Sequence, residues 1–338
     1  MPKFVERFES DAFENSIIAK KINIDLKKNL QVSPHPYCGW RSYPNQKLET
    51  ITTNEKGLRS KNFQDLKHKN NCILLGGSVA WGFGASSNQN IPSYLIEKIL
   101  HEKYGIKINV INLADQMHSS FEETQSFIAY LDELNPSLVV TLSGNNDIHK
   151  AVIDVFKYIN LHTVWLEYFA WGNKVGIVHE KNTLKKLIKI VARSFKKDQI
   201  FDEDYFIFSK PEKEAMYMEL YSNKISIINT ISAERKIKVI HFLQPDLFFK
   251  ENKSDSENKY YEYLKERMDY KFLKKSFLNL KKTFFDKNEK KGVIYKNLLD
   301  CFEKKGETFF FDHTHVSDKG YNILCEKIAK EINNNFKL

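Results

Sequence analysis

Cys72-Ile-Leu-Leu-Gly-Gly-Ser78 is a short, unbroken apolar run that ends in two glycines and a serine. Such a run suits a strand buried on both faces of a parallel sheet, whereas a half-exposed strand alternates polar and apolar residues. The small residues after it let the backbone turn sharply. That turn exposes the serine hydroxyl and leaves its N–H free to face a developing negative charge. A phosphate-cradling turn is the competing reading. However, no P-loop lysine follows, and Gly82 and Gly84 come too late for a GxGxxG spacing.

Alternating strands and helices extend outward from this segment. Ile91 to Lys103 reads as a helix with Ile91, Leu95, Ile96, Ile99 and Leu100 on one face and Pro92 in its first turn. Ile106 to Leu113 reads as the second strand. Phe121 to Leu134 is a helix opened by Ser119 and Ser120, with Glu122 and Glu123 in its first turn. Leu138 to Leu142 and Ile237 to Leu243 are the third and fourth strands, Thr308 to Phe311 a last short strand, and Asp318 to Asn333 the closing helix. This βα rhythm predicts an α/β protein with a parallel sheet covered by helices on both faces. Residues 1–66 read as an N-terminal extension packing on a main domain of residues 67–338. The extension holds a helix from Asp11 to Leu30, then a turn-rich aromatic passage at 35–44 and a β-prone stretch at 49–53.

An insertion at about 151–230 interrupts the rhythm, with an aromatic stretch at 156–171 that includes Trp165. A basic amphipathic helix follows at 182–197, and another helix runs from Glu212 to Arg235. Residues 250–292 are lysine-rich and read as partly helical.

The chain has 338 residues, is 42% hydrophobic and carries a net charge of +9, which suits a globular protein with affinity for anionic partners. It shows no helix-turn-helix, zinc finger or RNP-like motif, so nucleic acid is not the expected partner. Four cysteines, Cys38, Cys72, Cys301 and Cys325, lie apart without a CxxC or Cys/His ligand spacing. This predicts reduced thiols, no zinc site and, with no apolar leader or membrane-length run, a cytoplasmic location.

Two further motifs follow strand-like runs. In Ser143-Gly-Asn-Asn-Asp147, Asn146 offers an amide donor suited to an oxyanion, the competing reading being a turn asparagine. In Asp312-His-Thr-His315, His315 can take a proton from Ser78 while Asp312 fixes its tautomer; His313 is the competing histidine. His118 and His149 lie near these motifs along the chain, as site residues or as loop histidines.

Together, Leu74-Leu-Gly-Gly-Ser-Val-Ala-Trp-Gly82, Gly144-Asn-Asn-Asp147 and Asp312-His-Thr-His-Val-Ser-Asp-Lys-Gly320 make the chain resemble the SGNH (GDSL-type) hydrolase superfamily. The match covers roughly residues 70–150 and 236–335. It implies a three-layer α/β/α sandwich with a central parallel, flavodoxin-like sheet, and a serine esterase or acyltransferase with no cofactor and no metal. In that pattern Ser78 is the nucleophile, His315 and Asp312 complete the triad, and Asn146 joins the N–H groups of Ser78 and Met117 in an oxyanion hole. Two positions depart from it. Gly77 stands where the family has aspartate. Met117 stands where it has the glycine of the oxyanion hole, an earlier glycine falling on Ala114, so the Met117 Cβ is expected to restrict the backbone there.

The resemblance also implies short-acyl esters, often O-acetyl groups on carbohydrates, or lipid esters, and the aromatic insertion and N-terminal extension suit a bulky acceptor such as a surface-glycan precursor. The alternatives are a lipid ester at an anionic membrane surface, contacted weakly through the lysine-rich helices, and a catalytically weak binding protein of the same fold. Gly77, Gln244, Pro245 and Trp165 are the substrate-contact candidates. For Gln244 and Pro245 the competing reading is a turn that ends the strand. Nothing in the sequence points to an oligomeric state.

Overall fold

The computed structural model describes residues 11–13, 15–152, 210–267, 270–286, 292–303 and 306–336. Five strands form its central sheet: β3 (Asn71–Gly76), β4 (Asn109–Asn112), β5 (Leu138–Ser143), β6 (Lys238–Leu243) and β7 (Val293–Asn297). Their spatial order is β4-β3-β5-β6-β7 and every neighbouring pair is parallel. The chain therefore leaves the middle of the sheet in both directions, the flavodoxin-like order, with its switch point between β3 and β5. On β3, Cys72 and Leu74 enter one hydrophobic cluster while Ile73 and Leu75 enter the other. Both faces are covered, which is why this strand shows no polar alternation.

Three layers result. On one face, α3 (Pro92–Tyr104) contributes Leu95, Ile96 and Leu100, and the C-terminal α9 (Asp318–Asn335) contributes Tyr321, Leu324 and Ile328. Against the other lie α4 (Ser120–Leu134), through Phe127, Leu131 and Leu134, and α6 (Lys210–Glu234), through Ile228. The predicted start of α4 forms as a capping box between Ser119 and Glu122. A third cluster joins Ile148 of α5 (Asn145–Val152) to Tyr217 and Tyr221 of α6 and to Phe277 of α8 (Tyr270–Leu280).

Several expectations are corrected. Thr308 to Phe311 is no sheet strand: Phe310 makes a lone antiparallel bridge with Val316, and Phe309, Phe310 and Phe311 are all buried in loop conformation. The fifth strand is β7, whose pattern of two buried residues followed by three half-buried ones gives little periodic signal. Across residues 32–42, Val32–His35 (β1) and Gly39–Ser42 (β2) form a hairpin, while stretch 49–53 contributes only the bridge Lys47–Thr52. The first helix is shorter than expected, α1 (Ser16–Ile24), and continues as a π-turn to Asn29.

The N-terminal segment is bound into the core. Ala12, Phe13, Ala19 and Ile22 join the cluster of α3 and α9. The buried Arg59 guanidinium donates to the carbonyls of Thr50 and Gly82, at 2.7 Å each, and lies 4.7 Å from the Trp81 ring. The aromatic stretch 156–171 and the basic helix 182–197 lie outside the described residues. No described helix is long and apolar enough to cross a membrane.

His241, in the middle of β6, is fully buried. Its Nε2–H donates to Asn229 Oδ1 at 2.9 Å, leaving Nδ1 to accept from the Thr141 hydroxyl, also at 2.9 Å. Burial pushes its pKa down to about 3. The unfolded ring takes a proton near pH 6.5, so this group's contribution to stability is complete above that pH and drains away as pH falls toward 3. In His241→Gln, the slope of unfolding free energy against pH between 6 and 4 should be smaller by up to about 1.4 kcal/mol per pH unit. Denaturant melts across that range measure it, and an unchanged slope would exclude the neutral ring.

Candidate active site

The carboxyl ends of β3 and β5 meet at the switch point, and the conserved geometry of parallel sheets puts loops of both strands there. Ser78 begins a single helical turn (α2, Ser78–Trp81) directly after β3. Asp312 and His315 arrive from the loop before α9, more than two hundred residues away in sequence. His315 Nε2 lies 2.6 Å from Ser78 Oγ, and His315 Nδ1 lies 2.7 Å from Asp312 Oδ2. The carboxylate only accepts, so Nδ1 carries the proton and Nε2 is left to accept from the serine hydroxyl.

Asp312 is fully buried. Its Oδ1 accepts the N–H groups of Thr314 and His315 at 2.9 and 2.8 Å, so with Nδ1 of His315 three N–H donors meet the carboxylate. These bonds bend residues 312–315 into the turn that aims the imidazole. Phe83 and Phe311 flank that ring, with centroids 4.3 and 5.9 Å away, and hold its orientation.

Three groups are the candidate donors to an oxyanion beside Ser78. The first two are the N–H groups of Ser78 and Met117, neither of which has a hydrogen-bond partner among the described residues. The third is Asn146 Nδ2, which donates one hydrogen to the His118 carbonyl at 2.7 Å and keeps the other. Met117 differs from expectation. Its Cβ does not prevent the glycine-like conformation, since its φ is +59°, in the left-handed region. A non-glycine residue pays about 1–2 kcal/mol there. The residue is 46% exposed.

Gly77 has a steric role that the sequence did not reveal. A Cβ on it would stand 2.2 Å from Asn146 Nδ2 and 3.0 Å from the His118 carbonyl. The amide occupies the space that any larger residue at 77 would need. Gly76 and Gly144, with φ of +153° and +101°, make the sharp exits from β3 and β5.

Other residues act through these groups. Asn145 Nδ2 and Gln244 Nε2 both donate to the Thr314 hydroxyl, tying the Asp312 loop to the ends of β5 and β6. Gln244 and Pro245 are buried, and the described contact of the Gln244 amide is with that loop. Asp147 accepts from the Ser120 N–H and hydroxyl, joining the start of α5 to the start of α4. Trp40 Nε1 donates to the Gln116 carbonyl at 2.9 Å, and its ring lies 5.5 Å from that of His118. Arg41 donates to the Leu113 carbonyl and the Ser126 hydroxyl. The N-terminal hairpin therefore braces the segment that carries Met117. Apart from its aromatic content, nothing in residues 35–44 signalled this role. Trp165 lies outside the described residues.

None of the protein-family models matches the sequence, and no curated protein does. The chain is similar to solved structures of several lipases and esterases. One is the lipase Lip_vut3 from a goat rumen metagenome, 12% identical over 78% of this chain and 97% of that one, with a TM-score of 0.46. A lipase/acylhydrolase from Enterococcus faecalis is 16% identical over 79% and 97%, with a TM-score of 0.43. A psychrotrophic esterase, EstA, from Pseudoalteromonas is 11% identical over 79% and 98%, with a TM-score of 0.37. At these identities and scores the reading of the site rests on its own geometry.

Gly77→Ala should push the Asn146 amide aside and slow phosphonylation of Ser78 by a fluorophosphonate about 100-fold, the usual cost of one lost oxyanion donor. Asn146→Ala should cost a similar factor, and the double variant no more than the worse single one, because both changes remove the same donor. Additive losses would show that the two residues act separately.

Proposed function

We propose that this chain is a serine esterase or acyltransferase of the SGNH type. The observation that carries the reading is the unbroken Ser78–His315–Asp312 hydrogen-bonded chain at the sheet's switch point. Ser78 Oγ attacks the ester carbonyl carbon while its proton passes to His315 Nε2. The carbonyl oxygen becomes an oxyanion, held by the N–H groups of Ser78 and Met117 and the free amide hydrogen of Asn146. Asp312 stays ionised and stabilises the imidazolium. Collapse of the intermediate expels the alcohol, which takes the proton from His315, and leaves an acyl-enzyme. Water or an acceptor hydroxyl then reverses the sequence, with His315 again taking and returning a proton.

The family resemblance suggests short acyl groups, O-acetyl above all, carried on a carbohydrate such as a glycan precursor. A second reading, a lipid ester, is favoured by one observation: Met117 and Phe121 expose apolar surface next to the oxyanion donors along the chain. The left-handed Met117 backbone supports catalysis over a purely binding role, since the N–H keeps the orientation that a glycine would give it.

A fluorophosphonate probe should add once to the wild-type chain, read by intact mass, and not at all to Ser78→Ala. Hydrolysis of p-nitrophenyl acetate should fall by at least about 1,000-fold in Ser78→Ala and in His315→Ala. A well-folded wild-type protein that neither labels nor hydrolyses would overturn the esterase reading. Release of acetate from acetylated glycans, compared with turnover of long-chain esters on anionic vesicles, separates the two substrate classes.

A further inference from the structure

Beside the triad, three side chains from separate parts of the chain converge. His149 lies on α5, Asp246 follows β6, and His313 stands between Asp312 and His315. One ligand atom from each lies within 4.8 Å of the other two. Asp246 is fully buried; its Oδ1 accepts the Phe248 N–H at 2.9 Å, but Oδ2 has no hydrogen-bond partner among the described residues. His149 is 8% exposed, and its Nε2 has no partner either. The rings of His149 and His313 lie 4.6 Å apart at 46°.

A buried carboxylate oxygen and a buried imidazole nitrogen each cost about 1–3 kcal/mol when left unpaired. Here both occur in one cluster. Both residues belong to the group whose ligand atoms lie within 4.8 Å of one another, close enough to share an atom placed between them. Two imidazoles and a carboxylate form a donor set for borderline first-row ions, whereas calcium and magnesium prefer all-oxygen surroundings. We propose that His149, Asp246 and His313 bind a divalent transition-metal ion of the zinc class, clasping the Asp312–His315 loop to the ends of β6 and α5.

Zinc bonds of about 2.0–2.2 Å hold tetrahedral donor atoms about 3.3–3.6 Å apart. The ion thus draws the three side chains together by about an ångström. His313 is only partly buried, which leaves an open side for entry and for a solvent ligand. The Leu247 N–H donates to the His313 carbonyl at 2.8 Å, so the loop is already pinned at this point by its backbone. The ion's role is to position the loop, and no step of acyl transfer passes through it. This site departs from the metal-free expectation because its ligands are spread over 164 residues of sequence, from His149 to His313, in no recognisable spacing.

The test uses full-length protein stripped with a chelator and titrated calorimetrically with Zn²⁺ and, separately, Mg²⁺. One Zn²⁺ should bind per chain and Mg²⁺ should not, with Zn²⁺ raising the wild-type melting temperature. His313→Ala, at a partly exposed position, and the near-isosteric Asp246→Asn should each weaken Zn²⁺ binding about 100-fold or more and abolish that rise. Co²⁺ should give visible absorption bands in the wild type that are lost in His313→Ala. Absence of saturable Zn²⁺ binding to the wild type would overturn the proposal and leave the gap to water. So would an undiminished affinity in well-folded His313→Ala.

Discussion

A carboxylate with no access to solvent must be surrounded by donors, and Asp312 organises the site around that requirement. Its two oxygens accept from two backbone N–H groups of its own loop and from the His315 ring. The backbone donors set the shape of the loop and the ring donor sets the histidine tautomer. One buried charge thus fixes where His315 Nε2 stands, and Ser78 is within hydrogen-bonding distance of it. The lone bridge between Phe310 and Val316 closes the same loop from outside, and three buried phenylalanines anchor its base. A regular strand over 308–311 would have sent alternate side chains to opposite faces, whereas here three consecutive ones pack inward.

The donors proposed for the oxyanion depend on a different constraint, space. The Asn146 amide lies where a side chain on residue 77 would begin, 2.2 Å from the place of a Cβ on Gly77. Opposite, Met117 accepts a left-handed backbone at some cost in strain, a cost met by bracing. Trp40 holds the Gln116 carbonyl, Arg41 holds the Leu113 carbonyl, and the Ser119–Glu122 capping box fixes the residues that follow. The N-terminal hairpin is therefore part of the apparatus that shapes the site.

Four of the five sheet strands and most of the helices against them were legible in the sequence. A strand buried on both faces reads as an unbroken apolar run, and helices such as Pro92–Tyr104 carry both their apolar stripe and their end signals locally. Ser78, Asn146, Asp312 and His315 each follow an apolar run, or the stretch of phenylalanines, with a small-residue or Asp-x-x-His signature, so their types and order could be read from the chain. β7 was not legible because its polar, half-buried residues carry no clear period. The hairpin over 32–42 was hidden too, since Val32-Ser-Pro-His35 and Gly39-Trp-Arg-Ser42 carry no strand-like apolar alternation.

By itself the sequence determined most element types, the α/β class and the residues suited to acyl-transfer chemistry, because each of these depends on side chains close together in the chain. Tertiary structure alone decided which groups meet. It set the 2.6 Å contact between Ser78 and His315, the room that Gly77 leaves for Asn146, the left-handed turn at Met117 and the convergence of His149, Asp246 and His313. Those arrangements come from the order in which the strands lie side by side. Strand order is a property of long-range packing, and no local pattern of residues encodes it.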